Sequence, residues 1–154
     1  SIAILLYLTR KFKTPDHWYP SDLQKRARVD EYLSWQHTSI RTKGSNLFLA
    51  KCLLPLLMGQ PLPAQKVQGI AEELNVVLKQ FEKKFLQDKP FIVGSEVSLA
   101  DLVALVELMQ PVGAGHNLFE EKPKLAEWRG RVEAAVGPEL FAEAHQGILK
   151  AKHM

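Results

Sequence analysis

The run Leu99-Ala100-Asp101-Leu102-Val103-Ala104-Leu105-Val106-Glu107-Leu108-Met109 constrains the fold more than any other part of the sequence. Only Asp101 and Glu107 interrupt its apolar character, so a helix here has almost no polar side to give to water and must be enclosed by other elements. The preceding residues spell out its start. Ser98 fits an N-cap, Asp101 stands where a capping-box acid reaches back to the Ser98 N–H, and Val97 and Leu102 hold the two positions of a hydrophobic staple. If that box is real, Asp101→Ala costs about 0.5–2 kcal/mol.

A chain of 154 residues can bury one sizeable core, and its length also permits a piece of something larger. With 46% apolar and 24% charged residues it falls in neither the disordered nor the membrane class. Its net charge of +3 is too small to argue for a polyanionic partner. Lys25, Arg26 and Arg28 form the one dense basic cluster before the tail, but Asp22, Asp30 and Glu31 surround it, and no nucleic-acid partner is expected. Neither apolar stretch reads as a membrane segment. Ser1 to Leu8 lacks a basic leader and runs into Arg10 and Lys11. Leu47 to Met58 contains Lys51 and Pro55 and falls short of the roughly 20 residues a span requires.

The single cysteine, Cys52, excludes an internal disulfide and fits a reducing, cytoplasmic location. His17, His37, His116, His145 and His153 show no metal-ligand spacing, so no metal site is expected. No P-loop or dinucleotide glycine motif occurs, and Gly113-x-Gly115 reads as a turn after the central helix.

Elsewhere the pattern is helical throughout. Residues 1–12 read as a short buried helix, ended by Thr14-Pro15-Asp16-His17-Trp18-Tyr19-Pro20. Ser21 can cap a second helix in which Val29, Leu33 and Ile40 share a face with Tyr32 and Trp35 beside it, weakened but not necessarily ended at Gly44-Ser45. The stretch Leu47 to Met58 is bent or stopped at Pro55, and Gly59-Gln60-Pro61-Leu62-Pro63 is a loop. From Ala64 to Gln87, Val67, Ile70, Leu74, Val77, Phe81 and Phe85 recur every three or four residues. After the central helix Pro111 to His116 loosens the chain. Two last helices follow, opened by Pro123 and Pro138, with stripes Leu125, Trp128, Val132, Ala135 and Phe141, His145, Ile148. No useful length alternates with period two, so the expected fold class is all-α, a bundle of five or six helices around a buried central one.

Several blocks together resemble one family. Lys89-Pro90-Phe91-Ile92-Val93-Gly94 with its capped helix is similar to the core motif of the C-terminal helical domain of glutathione S-transferases. Ser1-Ile2-Ala3-Ile4-Leu5-Leu6-Tyr7-Leu8 resembles the helix that closes the glutathione site in the family's thioredoxin-like domain. Asp16 to Pro20, Ala27 to Leu33, Glu107 to Val112 and Pro123 to Arg129 resemble landmarks of the theta class. The resemblance implies that residues 1–12 are the last helix of a thioredoxin-like domain, 13–20 a linker and 21–154 the helical domain that shapes the electrophile site.

Its functional implications follow residue by residue. Ser1 matches the serine at the glutathione-site helix, where a hydroxyl and free N–H groups suit the γ-glutamyl carboxylate. Arg41 matches an arginine facing the active site, a permanent cation able to stabilise a thiolate or a leaving group. Ile40 and Phe48 are the candidates for the electrophile pocket, and core packing is an alternative for both. The implied partners are glutathione, as co-substrate with no cofactor, small hydrophobic electrophiles, and a second copy of the chain in a homodimer.

In theta enzymes the serine that helps generate the glutathione thiolate lies near the start of the thioredoxin-like domain, and an extension beyond the last helix lids the site. Residues 1–154 alone are therefore expected to be inactive. The alternative function is a non-catalytic helical interaction module of the same fold. The segment Thr42-Lys43-Gly44-Ser45-Asn46, which departs from the family pattern, keeps that alternative open.

Overall fold

The computed structural model describes residues 1–151. His153, one of the histidines considered above, lies outside the described residues. Eight α-helices and no strand occur among them: α1 (Ile2–Lys11), α2 (Leu23–Trp35), α3 (Ile40–Phe48), α4 (Leu54–Met58), α5 (Ala64–Gln80), α6 (Leu99–Gly113), α7 (Pro123–Val136) and α8 (Pro138–Leu149). The all-α bundle stands, with more pieces than the five or six expected. Two helices of the sequence pattern are divided by π-helical turns, Leu49–Leu53 before α4 and Phe81–Leu86 after α5.

The central helix is α6. Most of its 15 residues are buried, and it packs against α2, α3, α7 and α8. Its start is the reciprocal Ser98/Asp101 capping box, with Val97 in the core and Leu102 packed against it. The Asp101 carboxylate does more than cap. It accepts hydrogen bonds from the Ser98 N–H (3.0 Å), the Ser98 hydroxyl (3.2 Å), the Ile92 N–H (2.9 Å) and the Trp128 indole N–H (2.9 Å). One side chain thus joins the loop before α6, the first turn of α6 and the middle of α7.

Several boundaries differ from expectation. The N-cap of α2 is Asp22 rather than Ser21, its carboxylate accepting the Lys25 N–H at 2.9 Å. The second helix does not continue to Ile40. It breaks at residues 36–39, where the Arg41 N–H reaches back to the Gln36 carbonyl (3.0 Å), five residues away, so the turn widens by one residue before α3 begins. Val29, Leu33 and Ile40 still share the core. Gly44-Ser45 lies inside α3 and ends nothing.

Pro111 does not loosen the chain either, because α6 runs on to Gly113. Pro111 has no N–H for the Glu107 carbonyl, and that oxygen lies 3.5 Å from the position a Cβ would take at Gly44 on α3. The proline therefore sits where another helix covers that turn. In α7, Ala135 is exposed and Val136 packs on the core in its place. The first helix exists but is not buried. Only Ile2, Leu5 and Leu6 pack against the core, while Ile4, Tyr7, Leu8 and Phe12 are exposed.

Candidate functional site

On α3 the residues Arg41, Ser45 and Phe48 are spaced four and three apart and form one stripe. On α6 the residues Leu102, Val106 and Gln110 form the corresponding stripe, and Val106, at 46% exposure, is the least enclosed residue of the central helix. The central helix is therefore not covered all round. Next to this open edge, Glu107 and Gln110 face Arg41 and Ser45 of α3.

A polar ring closes along this seam. Ser45 Oγ donates to Gln110 Oε1 (3.1 Å), Gln110 Nε2 donates to Glu107 Oε2 (2.8 Å), and Arg41 Nη1 stands 3.9 Å from Glu107 Oε1. The Glu107 side chain is 13% exposed and that of Arg41 46%, so the carboxylate is held inside while the guanidinium reaches outward. Burial pushes the Glu107 carboxyl above its ordinary range, and Arg41, His37 and the Gln110 hydrogen bond pull it back. On the α2 side, Tyr32 is fully enclosed, and burial together with the Asp101 and Glu107 carboxylates drives its hydroxyl far above the ordinary phenol range. The Tyr32 hydroxyl and the Gln36 side-chain amide, one turn apart, have no hydrogen-bond partner among the described residues.

The predicted site residues are placed as follows. Arg41 is the outward member of the ring. Phe48 is half-buried at the end of α3 on the same stripe. Ile40 is wholly enclosed in the core and can back a pocket but not line one. Ser1 is exposed ahead of α1, its hydroxyl making no capping bond. Glu107 and Gln110 had no role assigned from sequence. The signal was there, two polar residues three apart in the otherwise apolar second half of the helix.

Two other concavities can be compared with the seam. A cleft of about 710 Å3 is bordered by Lys79, Lys83, Lys89 and Lys124 together with Glu82 and Asp88, and an apolar one of about 440 Å3 by Leu47, Ala50, Val67, Ala71 and His116. Neither contains Ser1, Arg41 or Phe48, and an open, lysine-rimmed surface lacks the enclosure that a small-molecule site needs. The seam, with converging polar groups and a perturbed carboxyl, is the better candidate.

Two of the histidines have structural partners. His17 Nδ1 donates to the Val97 carbonyl (2.7 Å) and His145 Nδ1 to that of Phe141 (2.8 Å). Among the described residues no group of three or more His, Cys, Asp or Glu is placed to hold a metal ion, and no helix is long and apolar enough to cross a membrane. Burial raises the Cys52 thiol, which leaves it a poor nucleophile. The basic cluster on α2 is tied up locally, with Arg28 at 3.0 Å from Glu31 and Arg26 stacked 4.7 Å from the Tyr19 ring centre.

Comparison with known proteins agrees with this architecture. The family model described as glutathione S-transferase, C-terminal domain, matches residues 46–135, more than half of the chain. Glutathione S-transferase theta-1 of Gallus gallus is 62% identical over 152 residues, covering 99% of this chain and 58% of that protein. Human glutathione S-transferase T1-1 in its apo form superposes with a TM-score of 0.96 at 57% identity, covering 99% of this chain and 64% of that one. A human theta-class glutathione transferase in complex with the glutathione conjugate of 1-menaphthyl sulfate gives 0.92 at 51% identity, covering 99% and 62%. The chain spans about three fifths of the length of these relatives. The chain belongs to the glutathione S-transferase family and carries the C-terminal domain of its theta class.

Proposed function

We propose that this chain is the electrophile-binding part of an enzyme that conjugates glutathione to small hydrophobic electrophiles. The observation that carries this reading is the open α3–α6 seam, where a permanent cation, Arg41, stands at the edge of an apolar helix on the same face of α3 as Phe48. Apolar walls take the body of an electrophile, and a guanidinium suits the anion that departs as the thiolate attacks. The theta-class relative seen with the conjugate of a sulfate ester supports the same division of labour, since sulfate is an anionic leaving group.

In this reading residues 1–12 belong to a thioredoxin-like domain, 13–20 are the linker and 21–154 the helical domain. The exposed apolar side chains of α1 support that division. Ser1 meets the γ-glutamyl carboxylate at the head of its helix, and Ile40 backs the electrophile pocket that Phe48 lines. Glutathione is a co-substrate and no cofactor is needed. The protein acts in the cytoplasm, for which the unpaired Cys52 is support, and clears reactive compounds. It works as a homodimer, and exposed apolar side chains such as Leu23, Leu56, Leu57 and Val76 offer surface for a second subunit.

The test is to express the full-length protein and assay glutathione conjugation with alkyl halides, epoxides, peroxides and arylmethyl sulfates, with light scattering for the dimer. Turnover that falls about tenfold or more in Arg41→Met, for the sulfates above all, supports the assignment. Absence of both turnover and glutathione affinity overturns it and leaves the non-catalytic interaction module. Residues 1–154 alone are expected to give no conjugation, because in theta-class enzymes the serine that helps generate the thiolate lies in the thioredoxin-like domain.

A further inference from the structure

An exposed arginine is a poor catalytic tool unless something holds it, because its long side chain otherwise samples many rotamers and loses that freedom only when a substrate binds. Arg41 is such a side chain, and what surrounds it is not ordinary surface. Its carboxylate partner, Glu107, is nearly enclosed and is itself fixed. Gln110 occupies Glu107 Oε2, leaving Oε1 turned towards Arg41, and Ser45 sets which way the Gln110 amide faces by donating to its oxygen. The donors run in one direction, Ser45 to Gln110 to Glu107, and the ring returns to α3 one helical turn from where it left.

The backbone is arranged for this reach. A Cβ placed at Gly44, between Arg41 and Ser45 on α3, would stand 3.5 Å from both the Glu107 carbonyl and Pro111 Cγ, so the two helices are already in contact at that level.

From this geometry we propose that Glu107, supported by Gln110 and Ser45, is the positioning residue for Arg41. This inference rests on the transferase reading and on the role given there to Arg41. The 3.9 Å separation is what suits the task. A close bidentate pair would occupy the fork that an anionic leaving group needs, whereas one loose contact steers the guanidinium and leaves most of its five N–H donors free. Enclosure of Glu107 makes the arrangement stable in one direction only, since a shielded carboxylate without its cation is costly and Arg41 is thereby kept near. The groups that act on Glu107 are Arg41 from α3, His37 from the turn before it and Gln110 from α6, with Tyr32 responding from α2.

The test is a double-mutant cycle in the full-length protein with glutathione and an arylmethyl sulfate, comparing wild type, Arg41→Met, Glu107→Gln and the double variant. Glu107→Gln keeps an acceptor for Gln110 and removes the charge that steers Arg41. The expected result is a fall of about 5–10-fold in kcat/KM in the wild-type background and no further fall in Arg41→Met. Equal losses in both backgrounds, or no loss in the first, overturn the proposal. An Arg41→Met protein with full turnover overturns the role of Arg41 and this inference with it.

Positioning is also read without turnover, from the order parameter of the Arg41 Nε–H by nitrogen-15 relaxation. Arg41 should be ordered in the wild type, less so in Ser45→Ala and mobile in Glu107→Gln. Equal order in all three overturns the proposal, even where conjugation is observed. A wild type that orders Arg41 through Glu107 but conjugates nothing supports the positioning and sinks only the transferase reading.

Discussion

At the scale of single residues, Asp101 carries the heaviest duty. A capping box alone gives a loss of about 0.5–2 kcal/mol for Asp101→Ala. The structure raises that figure, because the same carboxylate also accepts the Ile92 N–H and the Trp128 indole N–H, both enclosed. Each buried donor stripped of its acceptor costs about 1–3 kcal/mol, so Asp101→Ala should lose more than about 3 kcal/mol in urea unfolding, and Asp101→Asn, which keeps one acceptor oxygen, distinctly less. A loss confined to the smaller range would mean that only the cap matters. His116 makes a second prediction. Burial, with Lys51 and Lys122 nearby, holds its imidazole below the ordinary value of 6.5. The unfolded chain therefore takes up that proton at a higher pH than the folded one. The contribution is complete above about 6.5 and is lost as the pH falls through the folded value, so His116→Gln should flatten the stability profile below 6.5. The site itself was legible in part. Arg41 is proposed from the resemblance alone, as a single matched cation, whereas the Ser45–Gln110 bond joins residues 65 positions apart and leaves no local trace.

At the scale of elements, two glycines on packed helices have opposite meanings. A Cβ on Gly113, at the end of α6, would collide with the carbonyl of Ile148 on α8, a backbone atom that cannot rotate away. Gly113→Ala should therefore cost about 3 kcal/mol or more, or prevent folding. At Gly44 the same methyl would meet its neighbours at ordinary contact distance, and alanine favours a helix interior by about 1 kcal/mol, so Gly44→Ala should be neutral or slightly stabilising. Thermal melts of the two variants decide the contrast. The period of the apolar residues made the helices legible, and Pro123 and Pro138 do open α7 and α8. The same rule misled at Pro111. A proline ends a helix when its lost bond is not offset by packing, and here both Pro111 and Gly113 are buried against neighbours that keep the last turn in place. The break at residues 36–39 was hidden for the converse reason. The apolar period runs straight through it, because a turn widened by one residue still returns Ile40 to the core.

For the whole molecule the question is how stability is distributed between centre and edge. The central helix touches α2, α3, α7 and α8, so no opening of a single neighbour frees it. At the other extreme, α1 has no buried residue and leans on the core only through Ile2, Leu5 and Leu6. It is reached through a connector tied down by the His17 bond to Val97, at the foot of α6, and by the Arg26 bond to the Pro20 carbonyl. Hydrogen bonds in a helix protect its amides only as well as the packing that keeps the helix in place. Amides in the middle of α6 should therefore exchange only when the entire bundle unfolds, while those of α1 open separately and exchange at least about 100-fold faster. Mass-resolved hydrogen exchange on these residues reads both rates. Equal protection of α1 and α6 would mean that the first helix is an integral layer of this bundle, and would remove the structural ground for placing it with a neighbouring domain. If α1 gains protection in the full-length protein while α6 stays unchanged, the side chains now exposed, Ile4, Tyr7, Leu8 and Phe12, identify the face that the neighbour covers.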